Sequence, residues 1–305
     1  MLDRASRFSA LAIALLGTAL SASPASAGVS VVIPDPNHAV ATISLTDAST
    51  NTYSAVVTIE FDNAVNLSAD SLHLTADLFD PNNFPGTLPA NVSIDPAFPV
   101  VVTVEPPDVL FMNSYEVNQV GDGNLAFFNT YYFEMHTPNL ACASSTSNYR
   151  LYKAPHGSNV FADVTDDLFQ GSVRARGRGG AFSQFIVVKD TSLPLTAALQ
   201  KLLNLTTRLG LANILNPTLL ASLTATLGQV SVDLLTLNVG GALADLQTFI
   251  DGVTTGAANG DIPNEWKSDR TLVNDAGELL SLAETLQFTL RILQGGNALC
   301  LPPPP

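Results

Sequence analysis

The segment GSVRARGRGGAFSQF, residues 171–185, places Arg174, Arg176 and Arg178 at every second position. In an extended chain they project from one face at roughly 6.6 Å intervals. Val173 and Ala175 then take the other face. Guanidinium groups hold phosphate, sulfate or carboxylate through paired hydrogen bonds, so the ladder is a candidate binding site for a polyanion. A structural account competes with this and is preferred. The preceding ADVTDDLFQ (162–170) carries Asp163, Asp166 and Asp167. If the chain doubles back, these carboxylates reach the arginines across the strands. Charged side chains also protect a strand edge from pairing with other chains.

Other chemistry-bearing residues are sparse. Glu134 and His136 in YFEMHT face the same way on a strand and could form a metal or acid/base pair, but no third ligand is visible. Glu60 and Asp62 share a strand face and alternate with Ile59 and Phe61, which reads as a solvent face. The oxygen-rich VTDD (164–167), GDGN (121–124) and NGDIPNE (259–265) read as turns and helix caps, with calcium as the minority reading and no other cofactor expected. There is no G-x-S-x-G elbow, H-E-x-x-H helix or phosphate loop, so no catalytic residue or metal ligand is assigned. Cys142 and Cys300 are the only cysteines and form a candidate disulfide.

Composition bounds the setting. Arg4 and Arg7, the apolar run FSALAIALLGTAL (8–20) and SASPASA predict a signal peptide over 1–27, cleaved near Ala27/Gly28. A secreted or periplasmic bacterial protein is expected, in a compartment where disulfides persist. Removing Asp3, Arg4 and Arg7 leaves 26 acidic and 11 basic residues, a net charge of −15. That balance argues against nucleic acid as a partner.

The elements that must position these residues change character near residue 191. Residues 28–191 contain short β-type runs such as SAVVTIEF (54–61) and AFSQFIVVK (181–189), separated by Pro/Asn/Asp/Gly turns. From Leu195 the apolar spacing becomes helical. Asn216 and Pro217 signal one helix start and Pro263 in DIPNEW another, and the last apolar face runs from Leu272 to Leu293. The pattern predicts an α+β two-domain chain. An Ig-like or jelly-roll-like antiparallel β-sandwich over 28–191 would precede an all-α helical bundle over 192–296 and a Pro-rich tail over 297–305. Residues 209–232 carry no charge. A helix with a Thr/Ser outer face explains them better than a membrane span, so no transmembrane helix is expected in the mature chain. Burial against the β half or against a second copy of the chain is the expected consequence, the latter giving self-association through 209–244.

The helical half resembles the FIMAH-type module of secreted bacterial proteins through Leu246, Phe249, Ile250 and Val253, then Gly260-Asp261-Ile262, then Ala276 and Leu279. That resemblance implies adhesion or carbohydrate contact. The β half resembles uncharacterised exported bacterial domains through 97–107, 150–157 and 171–190, which implies fold and location without an activity. The expected function is a non-enzymatic surface or matrix recognition protein whose partner is a polysaccharide or another envelope protein. The alternatives are an extracellular carbohydrate-active hydrolase, and a structural envelope protein that assembles through its helices.

Overall fold

In a computed structural model of the chain, the structure describes residues 28–107, 124–142, 147–169 and 171–295. The expected signal peptide and the Pro-rich tail lie outside them. The chain opens with β1 (Gly28–Asp35), β2 (His38–Thr46), β3 (Thr52–Val65), α1 (Ala69–Leu72), β4 (Leu74–Leu78), β5 (Val92–Ser93) and β6 (Val100–Val104). It continues with β7 (Ala126–Cys142), β8 (Tyr149–Pro155), β9 (Ala162–Asp163), β10 (Thr165–Phe169), β11 (Gly171–Gly179) and β12 (Ser183–Asp190). Then come α2 (Pro194–Leu211), α3 (Pro217–Leu235), α4 (Val239–Ala258), β13 (Glu265–Lys267) and α5 (Asp275–Leu293).

The strands form two antiparallel sheets. One runs β1-β2-β3-β7-β11-β10, with β13 also paired to β7; the other runs β4-β6-β12-β8-β9, with β5 paired to β12. Period-2 alternation turns Val57, Ile59, Phe133, Met135 and Ala175 of the first sheet toward Val102, Leu151, Phe185 and Val187 of the second, in one shared core. Phe133 and Phe185 stack across it at 3.8 Å, nearly parallel. The residues between them on β3, β7 and β11 point away from this core, and so the arginines reach the outer face of the first sheet.

The helices bury a second cluster, with Leu205, Leu227, Val230, Leu246, Phe249 and Leu286 at its centre. They do not stand apart as a bundle. Between α4 and α5 the chain returns to the first sheet as β13, where Trp266 pairs with Phe127 and stacks on its ring at 5.2 Å. Helix α5 packs on β7, β10 and β11 and inserts Phe288 into the core of the sheets. Lys201 of α2 pairs with Asp163 of β9 at 2.6 Å, with both groups buried.

The fold is therefore a sheet-rich α+β assembly with a small helical part. This corrects the expectation of a two-domain Ig-like or jelly-roll-like β-sandwich followed by an all-α bundle. The cause is local. The segment after Pro263 extends instead of starting a helix, because Asn264 and Trp266 find partners along β7 and Ser268 N bonds Leu125 O just before it. The last helix starts only at Asp275, where the Asn274 side chain caps Gly277 N at 2.7 Å and donates to Asn129 O at 2.5 Å.

Candidate functional site

The arginine ladder lies where its spacing puts it, and every rung is occupied. Arg174 Nε lies 3.4 Å from Glu134, and Arg176 Nη2 lies 2.8 Å from Glu60. Arg178 reaches Asp166 at 3.2 Å and Glu284 of α5 at 3.8 Å. The Arg176 and Arg178 guanidinium carbons sit 4.1 and 4.2 Å from the centre of the Tyr132 ring. Of the upstream acids, Asp166 pairs with Arg178, Asp167 lies opposite Arg176 in the register, and Asp163 is taken by Lys201. The ladder is thus a neutralised lattice between four strands and a helix.

Burial dominates its electrostatics. It raises the Glu134 carboxyl against the pull of Arg174 and Arg176, and raises Asp167 against Arg176. Asp166 is pushed up to about 7 despite Arg178. His136 is lowered by burial and then by Arg174, and its Nε2 meets Ser172 Oγ at 2.5 Å. Glu134 turns to Arg174 and not to a shared ligand with His136. Among the described residues no three His, Cys, Asp or Glu side chains converge as a metal cage.

The remaining expected positions are dispersed. Glu60 pairs with Arg176 while Asp62 faces Thr130 N and Oγ1 at 3.4 Å, so the two carboxylates serve different partners. In NGDIPNE, Asp261 accepts from Asn216 at 3.4 Å and Glu265 pairs with Lys267 at 3.2 Å. Positions 121–123 of GDGN lie outside the described residues. Cys142 is buried at the end of β7, and Cys300 lies outside the described residues, and with it the expected pair.

The arrangement best suited to a ligand is a cleft of about 360 Å³ where both sheets meet the helices. Pocket size alone falls in the range of small-molecule sites. Its lining brings together Lys153 of β8, Phe182 of the β11–β12 turn, Arg208 of α2, Trp266 of β13, Glu278 of α5, and His156 and Arg270 from loops. Trp266 meets Phe182 edge-on at 5.2 Å, and with Val104, Pro106, Pro155, Leu272 and Val273 they make an apolar surround. Gly180 and Gly277 allow the approach of α5, since a Cβ on Gly180 would strike the backbone of Gly277 and Glu278.

The charges in this cleft are held more loosely than those of the ladder. Arg270 lies 3.9 Å from Glu105 and 3.2 Å from His156 Nδ1, which itself pairs with Glu105 at 2.8 Å. Lys153 Nζ lies 3.7 Å from Glu278, beyond hydrogen-bond range, and donates to Ala181 O at 2.6 Å. Tyr131 Oη donates to the same carbonyl at 2.7 Å. Burial lowers Lys153 and Glu278 opposes it; burial raises Tyr131 well above its ordinary value. Arg208 is the exception, tied to the buried Asp275 at 2.5 Å.

Sequence reasoning did not find this cleft. Trp266 is the only tryptophan, but a three-residue strand has no readable period, and Lys153 stands in a segment noted only for a resemblance. Elsewhere, an open groove of about 470 Å³ between α3 and α4 is lined by Leu219 and by small and polar residues with Asp251 and Asp261, and no cation or aromatic ring is in its lining. Helix α3 is long and apolar enough by length and composition to cross a membrane, with a mean hydropathy of 1.3 over a window that is 28% buried.

A family model described as a family of unknown function (DUF6689) matches residues 12–294. No curated protein and no solved structure matches the chain.

Proposed function

The chain belongs to the DUF6689 family, and from its own geometry we propose that it is an exported, non-enzymatic recognition protein that binds a carboxylate-bearing ring in the cleft around Trp266. An acidic sugar unit of a matrix polysaccharide has that chemistry. The observation that carries the reading is Arg270, a half-exposed guanidinium whose nearest carboxylate, Glu105, stands at 3.9 Å and whose hydrogen bond goes to His156 Nδ1 at 3.2 Å, beside an apolar surround. A guanidinium with unused donors suits a carboxylate, and an apolar wall suits the ring that bears it. Arg174, Arg176 and Arg178 lack this freedom, because each already faces a carboxylate.

Export through a signal peptide ending near Ala27 is part of the proposal. It is supported by the apolar run of residues 8–20 and the small residues that follow. Titration with uronic-acid oligosaccharides, followed by Trp266 fluorescence, tests the site. Arg270→Ala is expected to weaken binding by about tenfold or more. Equal binding by that variant would remove the reading.

One observation favours a second reading, a structural envelope protein that self-associates through 209–244. Helix α3 exposes Ala221, Ala225, Val232 and Leu235, and its single charged residue, Asp233, is buried. An uncharged outer face of this kind is uncommon on an acidic monomer. Light scattering across a concentration series tests it, and a monomer at every concentration excludes it.

A further inference from the structure

We propose that Lys153 captures its ligand covalently, condensing with an aldehyde or ketone that enters the cleft between β8, β13 and α5. The inference rests on the reading of that cleft as the ligand site and adds the chemistry done there.

The four lysines of the chain differ in how they are held. Lys201 is buried but saturated: it meets Asp163 at 2.6 Å and donates to Thr285 and Thr289 at 2.7–3.0 Å. Lys189 is exposed and Lys267 half-buried, and they pair with Asp95 at 2.8 Å and Glu265 at 3.2 Å. Lys153 is buried and lines a cleft, and its single hydrogen bond goes to a neutral carbonyl, Ala181 O. Its nearest carboxylate, Glu278, stands off at 3.7 Å and is itself part of the cleft wall. A desolvated ammonium with one distant counter-charge gives up its proton most readily, which is the condition for a nucleophilic lysine. The lowered Lys153 agrees with this geometry.

The step balances without any further reagent. Glu278 takes a proton from the Lys153 ammonium, and the free amine adds to the carbonyl carbon: a C–N bond forms, the C=O π pair moves to oxygen, and a second amine proton passes from nitrogen to that oxygen to make the hydroxyl. Glu278 returns its proton to the hydroxyl, the C–O bond breaks with the nitrogen lone pair forming C=N, and water leaves with a protonated imine in place and Glu278 again a carboxylate. Hydrolysis reverses each step, so the capture is reversible. A carboxylate on the same ligand would meet Arg270, which fixes the class as a carbonyl compound bearing an anionic group.

The probe is 4-carboxybenzaldehyde, with borohydride added to reduce any imine to a stable amine, followed by peptide mapping of the intact chain. We expect one adduct on Lys153, formed about tenfold faster than any adduct on Lys189 or Lys267. Lys153→Met should lose it. 4-Methylbenzoate, which has the same shape without the carbonyl, separates the two layers of the argument. If 4-methylbenzoate binds and the aldehyde labels all lysines alike, covalent capture is overturned and the cleft reading stands. If neither binds, both fall. Mapping on the wild-type chain keeps the test decisive even where Lys153→Met fails to fold.

Discussion

Asp166 Oδ2 lies 3.2 Å from Arg178 Nε, while the other oxygen of the same carboxylate is buried without a hydrogen-bond partner. The pair joins β10 to β11, and Arg178 continues to Glu284 of α5. A half-satisfied buried carboxylate is costly when charged. Burial therefore outweighs the arginine and pushes Asp166 from 3.8 up to about 7.

This gives a pH dependence with a definite sign. The folded chain binds the Asp166 proton more tightly than the unfolded chain, so this group favours folding at low pH, and the benefit is lost as pH rises from about 4 to about 7. The contribution is on the order of 2–4 kcal/mol. Urea unfolding of wild type and Asp166→Asn at pH 5 and pH 8 measures it. The variant should lose less stability than wild type between the two; parallel losses would show that Asp166 titrates normally.

The ladder should matter for stability and not for binding. Arg176→Ala removes the contact to Glu60 and the stacking on Tyr132. Glu60 is 41% exposed, so solvent screens the pair and the loss is about 1 kcal/mol. Oligosaccharide binding by Arg174→Ala/Arg176→Ala/Arg178→Ala should equal that of wild type once the chain is folded. Binding lost by the folded variant would return the ladder to the role its spacing first implied.

Trp266 reports whether helices and sheets unfold together. Strand β13 ties the helices to β7 through its stacking on Phe127. Trp266 fluorescence and the far-UV helical signal should therefore change in one coincident transition. A helical transition well separated from the fluorescence change would instead describe independent units. Phe127→Ala should cost about 3–5 kcal/mol, because its fully buried ring also touches Phe61, Tyr131 and Phe182.

The candidate Cys142–Cys300 bond predicts that a chain produced in an oxidising compartment carries no titratable thiol in denaturant until it is reduced. Reduction should lower its stability by about 2–5 kcal/mol. Two thiols in the unreduced, denatured chain would exclude the bond.

What was legible in the amino-acid order was the part governed by short-range period. The alternation of Val57, Ile59 and Phe61 marks a strand with one buried face, and Asn216-Pro217 marks the start of α3, whose cap accepts from Thr218 and Leu219. The facing of Arg174, Arg176 and Arg178 to one side follows from the same arithmetic of extended chain. Their partners do not. Glu60 and Glu284 stand far from Arg176 and Arg178 along the chain, and only the order β3-β7-β11-β10 and the docking of α5 bring them to the ladder. The cleft has the same origin. Lys153, Arg208, Trp266 and Glu278 belong to four elements that converge because a three-residue strand pairs with β7 between two helices. Local sequence determines which face of an element is apolar; which faces meet depends on long-range pairing, whose free energy is spread over contacts that no short window contains.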